Sequence, residues 1–348
     1  MKKFNGYMAG VNIGGWLSQY PQDANKEYWD TCCVPTKDIA RIASWKCDHI
    51  RLPVDYFFFE SDDDPGVYAP DRIAYIDMCL EECKKNGLNM ILDLHHAPGF
   101  FFALGDKNKL FVDPALQDRF VAIWKFFAER YKDEGDNIAF ELMNELVWSS
   151  SEPWNDLWTR TLAEIRKISP DRYVIIGSNN WNSVWELKNL RLIENDKHLI
   201  YNFHFYDPQI FTHQRAPWDK VQAEYNGYVT FPYRFEDHKR FFELLNYWPE
   251  MMASYEIVDK EFIRRMLEPA VEFLAKHDIP LYCSEFGVIG WADEKSSLYW
   301  LDTVCDIFNE FGIGHSVWSY TGFTPLFKKD ENGNKLENTP FIEIISRM

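Results

Sequence analysis

Positive charge is scarce in this 348-residue chain. Lys and Arg number 37 against 54 Asp and Glu, for a net charge of −17. A surface of that sign repels phosphate, so nucleic acid is a poor partner, and anionic membranes and acidic polysaccharides are disfavoured. Neutral substrates carry no such penalty. No window approaches the ~18 consecutive apolar residues of a membrane span. There is no G-x-G-x-x-G or GxxxxGK[ST] phosphate loop and no G-x-S-x-G nucleophile elbow. The seven cysteines form no CxxC pair and no Cys/His metal spacing, so no metal or other cofactor is expected. They read as reduced, mostly buried thiols. Met1-Lys2-Lys3 is followed by no apolar run, so no signal peptide is visible. The expectation is a cytoplasmic protein, or a secreted one if a leader was removed or export takes another route.

What is present is apolar and aromatic. Hydrophobic residues make up 46% and aromatics 17%, including 14 Trp. Strand-like and helix-like segments alternate along the chain. The strand-like ones are 10–14, 49–53, 88–95, 138–145, 173–178, 199–205, 280–286 and 314–319. Most are apolar on consecutive residues, as parallel strands covered by helices should be. Helical stripes are clearest at 70–85, 114–131 and 261–277. Eight such units predict an α/β fold, a (β/α)8 TIM barrel filling residues 1–348 as a single domain. After the sixth strand about fifty aromatic-rich residues intervene before the next helix. A structureless loop of that length is implausible, so 208–258 is expected to be an inserted subdomain over the C-terminal mouth.

Two apolar runs end on an acid. Ile138-Ala139-Phe140-Glu141-Leu142-Met143-Asn144-Glu145 is one, and Leu281-Tyr282-Cys283-Ser284-Glu285 is the other. In a barrel, catalytic groups come from strand C-termini, so Glu145 and Glu285 are expected at one rim. A carboxylic acid beside a carboxylate is what breaks a glycosidic bond. Asn144 places an amide beside the acid, suited to a sugar 2-hydroxyl. Glu141, four residues earlier, is expected roughly 13 Å deeper at ~3.3 Å per residue, paired structurally. His96 should point away from His95 on a strand and miss the substrate.

The chain resembles family 5 glycoside hydrolases of the cellulase superfamily, close to the clostridial endoglucanase C type. The resemblance rests on Gly10-Val11-Asn12-Ile13-Gly14-Gly15-Trp16, Ile50-Arg51-Leu52-Pro53, Leu92-Asp93-Leu94-His95, Leu142-Met143-Asn144-Glu145, Asn202-Phe203-His204-Phe205-Tyr206, Ser284-Glu285-Phe286-Gly287 and Val317-Trp318-Ser319-Tyr320. It implies a retaining endo-β-glucanase acting on β-1,4 or mixed β-1,3-1,4 glucans. Another family 5 specificity, a β-mannanase or an exo-acting β-glucosidase, stays open, as does a non-catalytic carbohydrate-binding barrel. Glu145 would be the acid/base and Glu285 the nucleophile. Arg51 and Tyr206 would keep Glu285 ionised, and His95 and His204 would orient hydroxyls and carboxylates. Trp318 would floor the subsite of the attacked sugar, with a cis peptide after it. Trp181 and the loop around Phe101 are expected as partial sugar platforms. Nothing requires a partner chain, and a monomer is expected.

Overall fold

The computed structural model describes residues 2–193, 195–246, 254–322 and 324–347. Eight parallel strands close into a barrel: β1 (Ala9–Asn12), β2 (His49–Asp55), β3 (Asn89–His96), β4 (Ile138–Glu141), β5 (Val174–Gly177), β6 (Leu199–Phe205), β7 (Leu281–Phe286) and β8 (Gly314–Val317). Each pairs with its chain neighbours, and β1 pairs with β8 to close the ring. The strands are buried along nearly their whole length, which is why they read as continuous apolar runs. Phe4, Tyr7, Ile91, Ala139, Ile175, Ile200 and Tyr282 form a separate apolar cluster contributed by strands and the N-terminal segment.

The helix Pro70–Lys85 has the bounds its sequence predicts, with proline in the first turn and Lys84 and Lys85 in the last. The expected helix 261–277 is instead two, Lys260–Met266 and Glu268–Lys276. Pro269 lacks the N–H that a continuous helix would need, so it opens a new helix after Leu267.

Two further departures sit at the mouth. β4 ends at Glu141, not Glu145. The Leu142 and Asn144 N–H groups still bond to Ile175 and Leu94 carbonyls, but Glu145 adopts φ 40°, a left-handed turn. A non-glycine residue in that region is held there by its surroundings. β3 and β7 both carry bulges. Val54 pairs with Leu94 but Asp55 with His96, and Phe203 pairs with Cys283 but His204 with Glu285. Each bulge inserts one residue and breaks the in–out alternation just where the strand reaches the rim.

Between β6 and the helix Lys260–Met266 the chain forms short helices, Gln209–Thr212, Lys220–Tyr225 and Lys239–Leu245. A two-residue antiparallel ladder pairs Tyr233–Arg234 with Ile257–Val258. Phe211, Phe231, Tyr233, Phe235, Phe241 and Phe242 bury their rings within this stretch. Residues 247–253, with Tyr247 and Trp248, lie outside the described residues.

Candidate active site

Arg51 is the fully buried centre of the mouth. Its Nε and Nη2 donate to both oxygens of Glu141, at 2.7 and 2.9 Å. Nη1 donates to Glu285 Oε1 at 2.9 Å, and Nη2 also reaches Asn144 Oδ1 at 2.8 Å and Asp93 at 3.1 Å. Glu141 is therefore buried and paired, as expected, but it is not remote. It and Glu285 hold the same guanidinium.

Glu285 also accepts from Tyr206 Oη at 3.0 Å. Glu145 Oε1 lies 3.1 Å from His204 Nδ1, which is 3.6 Å from Glu285 Oε2. The facing atoms of Glu145, His204 and Glu285 all fall within 4.8 Å of one another. A divalent cation would also suit two carboxylates and an imidazole, but Arg51 sets a permanent positive charge against Glu285. A single cation faces Asp93, Glu141 and Glu285 directly and Glu145 through space. Charge of one sign cannot accumulate in so dry a site, so protons must stay on some of these carboxyls. Burial raises Glu145 to about 7, opposed by Arg51 and His96. Burial likewise raises Glu285 to about 7, opposed by His204 and Arg51. Asp93 is raised to about 7 by the same cause. Burial pushes His204 down to about 4, so it is neutral at pH 7.

His95 donates or accepts at Nδ1 with Asp93, 2.9 Å away, and its Nε2 lies 3.4 Å from Asn144 Nδ2. Its ring stacks on Trp318, with centroids 5.4 Å apart and planes 11° apart. Asn144 is fully buried, bracketed between Arg51 and His95. The Trp318–Ser319 peptide is cis. Gly14 lies against Trp318, where a Cβ would come within 2.9 Å of the indole, so the first-strand motif needs glycine there.

A cavity of about 830 Å³ opens over this cluster. Glu145, Glu285, His95, Tyr206 and Trp318 line it, with Phe102 from the loop after β3 and His213 and Trp218 from the segment after β6. Trp181 does not line it. It stands 47% exposed on the turn after β5, among three consecutive left-handed residues, Asn180 to Asn182. A more polar depression of about 700 Å³ lies beside that turn, bordered by Trp148, Glu152, Asn180 and Arg191.

The other rim aromatics separate by burial. Trp16 and Trp154 are fully buried core, donating to carbonyls of Trp29 and Gly177. Trp291 ties the loop after β7 to Gln214. His96 does not line the cavity over the carboxyl cluster. It is still at the mouth, because the β3 bulge keeps it beside His95. There it pairs with Asp55 at 2.6 Å and stacks on Phe102, with Phe101 tilted against it. Trp218, His213, Asn202 and Ser284 were not singled out by sequence reasoning. Trp218 is one aromatic among many in its segment, and Ser284 is turned inward by a bulge that no pattern announces.

A family profile described as cellulase (glycosyl hydrolase family 5) matches residues 15–324. Endoglucanase C of Acetivibrio thermocellus is 45% identical over 315 residues, 90% of this chain and 91% of that protein. Cellodextrinase A of Ruminococcus flavefaciens is 33% identical over 94% of this chain and 89% of its own length. Among solved structures, a hyperthermophilic endo-β-1,4-glucanase in complex with substrate superposes with a TM-score of 0.76 at 24% identity, covering 97% of each chain. Thermotoga maritima Cel5A in complex with mannotriose gives 0.73 at 23%, covering 98% of each.

Proposed function

The chain belongs to the cellulase family, glycosyl hydrolase family 5, and on that premise we propose that it is a retaining endo-β-glucanase working by double displacement. The observation that carries the reading is the spacing of Glu145 and Glu285, whose facing oxygens lie within 4.8 Å. Retaining enzymes hold their carboxyls ~5–5.5 Å apart, whereas inverting ones leave ~6.5–9.5 Å for a water. Glu285, held by Arg51 and Tyr206, attacks the anomeric carbon as a carboxylate. Glu145 protonates the leaving oxygen, then takes a proton from the water that frees the glycosyl-enzyme. Trp318 floors the subsite of the attacked sugar, with His95 and Asn144 beside its 2-hydroxyl. The segment after β6 acts as a lid, bringing His213 and Trp218 over the substrate, and Trp181 serves as an outer platform.

The preferred substrates are β-1,4 or mixed β-1,3-1,4 glucans, in line with the relative named endoglucanase C. The relative named cellodextrinase A favours a second reading, in which short soluble cellodextrins are the main substrate. Digests of barley β-glucan and carboxymethylcellulose separate the two. Rapid viscosity loss supports endo action, and glucose as the sole early product overturns it. For the mechanism, the first-formed anomer is read by ¹H NMR. Retention is expected, and initial inversion overturns double displacement. Glu285→Ala should lose nearly all turnover, with azide restoring a product of inverted configuration.

A further inference from the structure

Beneath His204 lies a set of hydrogen bonds that, for the neutral imidazole its burial favours, admits one proton arrangement. Asn202 Oδ1 accepts from the Ser284 N–H at 3.0 Å, which fixes the orientation of its amide. Asn202 Nδ2 then donates to Glu141 Oε1 at 2.9 Å and to Ser284 Oγ at 2.7 Å. Glu141 Oε1 also receives Arg51 Nη2, so it already takes two N–H donors and carries no proton itself. Ser284 Oγ is 3.1 Å from that oxygen and 2.9 Å from His204 Nε2. The hydroxyl has one proton. If it went to His204, two oxygens at hydrogen-bond distance would face each other with no proton between them. If it goes to Glu141, Ser284 Oγ accepts from both Asn202 and His204, and every contact is made. His204 then carries its proton on Nε2, and its Nδ1 lone pair points at Glu145 Oε1. A lone pair there requires the proton on Glu145.

We infer that Ser284, held by Asn202 and Glu141, is a positioning residue that fixes the Nε2–H tautomer of His204 and so directs the resting proton of the carboxyl pair to Glu145. The inference rests on the retaining reading of this site for its meaning, though not for its geometry. It divides two neighbouring carboxyls into a proton donor and an anion. Glu285 receives Arg51 and Tyr206 protons, while Glu145 gives its own to a neutral acceptor. Once Glu145 has protonated the leaving group, the same lone pair opposes its charge, which strengthens it as the base for the second step. The titratable and charged groups facing the pair are Arg51 from β2, Asp93, His95 and His96 from β3, Glu141 from β4, Tyr206 after β6 and Glu285 from β7.

The test reads the tautomer directly. In ¹⁵N-histidine-labelled resting enzyme near pH 7, two-bond ¹⁵N–¹H correlations should show His204 protonated on Nε2 alone. Protonation on Nδ1, or on both nitrogens, overturns the proposal, and this holds even where no variant folds. In Ser284→Ala the basic limb of kcat/KM should fall by about one pH unit, the size of one lost hydrogen bond. Ser284→Thr, which keeps the hydroxyl, should restore it. An alanine variant that loses rate with its basic limb unmoved makes Ser284 merely structural. Failure of the retaining reading would appear separately, in the product anomer.

Discussion

The floor and the roof of this active site are built in opposite ways. The floor consists of Arg51, Asp93, Glu141, Asn144, Asn202 and Ser284, all fully buried on barrel strands or their first turn. Their polar atoms meet at hydrogen-bond distances, which leaves little freedom for any one to move alone. The roof is the part of the segment after β6 that lines the cavity, Thr212, His213 and Trp218, the last 58% exposed. Reaction chemistry needs groups held within fractions of an ångström, and closed strands supply that. Substrate recognition tolerates adjustable surfaces, and loops supply those. The comparison teaches that a substitution in the floor should change rate and stability, while one in the roof should change affinity.

The sharpest way to break this division is Glu145→Gln. Loss of the acid should lower kcat on cellotetraose by roughly 10²–10⁴. An aryl cellobioside whose phenol departs without protonation should lose far less in the glycosylation step. Equal losses on both substrates would mean Glu145 is not the proton donor. Arg51→Met should come next. It strands buried carboxyls without their cation, a cost of about 3–5 kcal/mol in urea unfolding at neutral pH. The cost should shrink at pH 5, where those carboxyls, raised by burial, hold protons. A destabilisation that does not depend on pH would point to lost packing instead.

A smaller effect concerns pH. The proposed mechanism needs Glu285 ionised and Glu145 protonated. Burial lifts both to about 7, and their mutual repulsion spreads the two steps to either side. The kcat/KM profile should therefore be a bell centred near neutrality, with Glu285 on the acid limb and Glu145 on the basic limb. An optimum below pH 5 would contradict that environment. Trp218→Ala should be mildest. It should raise KM about fivefold, equivalent to about 1 kcal/mol of ring contact. Thermal midpoint and kcat should stay close to wild type, and a large fall in kcat would move Trp218 from roof to floor.

Much of this was legible in the sequence. Eight apolar runs at the pitch of a strand–helix unit determined the barrel, because parallel strands covered by helices must be apolar throughout. Glu145 and Glu285 closed two of those runs, and an ionisable group at the end of a buried strand has to emerge at a rim. Pro70, Pro114 and Gly87 marked helix ends through backbone constraints that are local to each residue. The two-residue period failed at the rim itself. Bulges in β3 and β7 put His96 beside His95 and turned Ser284 inward next to Glu285, and Arg51 joined Glu285 to Glu141, the acid on which β4 ends. A bulge depends on the register of two neighbouring strands and on what the inserted residue bonds across the barrel. The sequence of one strand carries neither. By itself the whole sequence pointed to Glu145 and Glu285 as the candidate carboxyl pair. Only the closed barrel decided which side chains share one guanidinium and which meet around His204, because those contacts join residues from different strands.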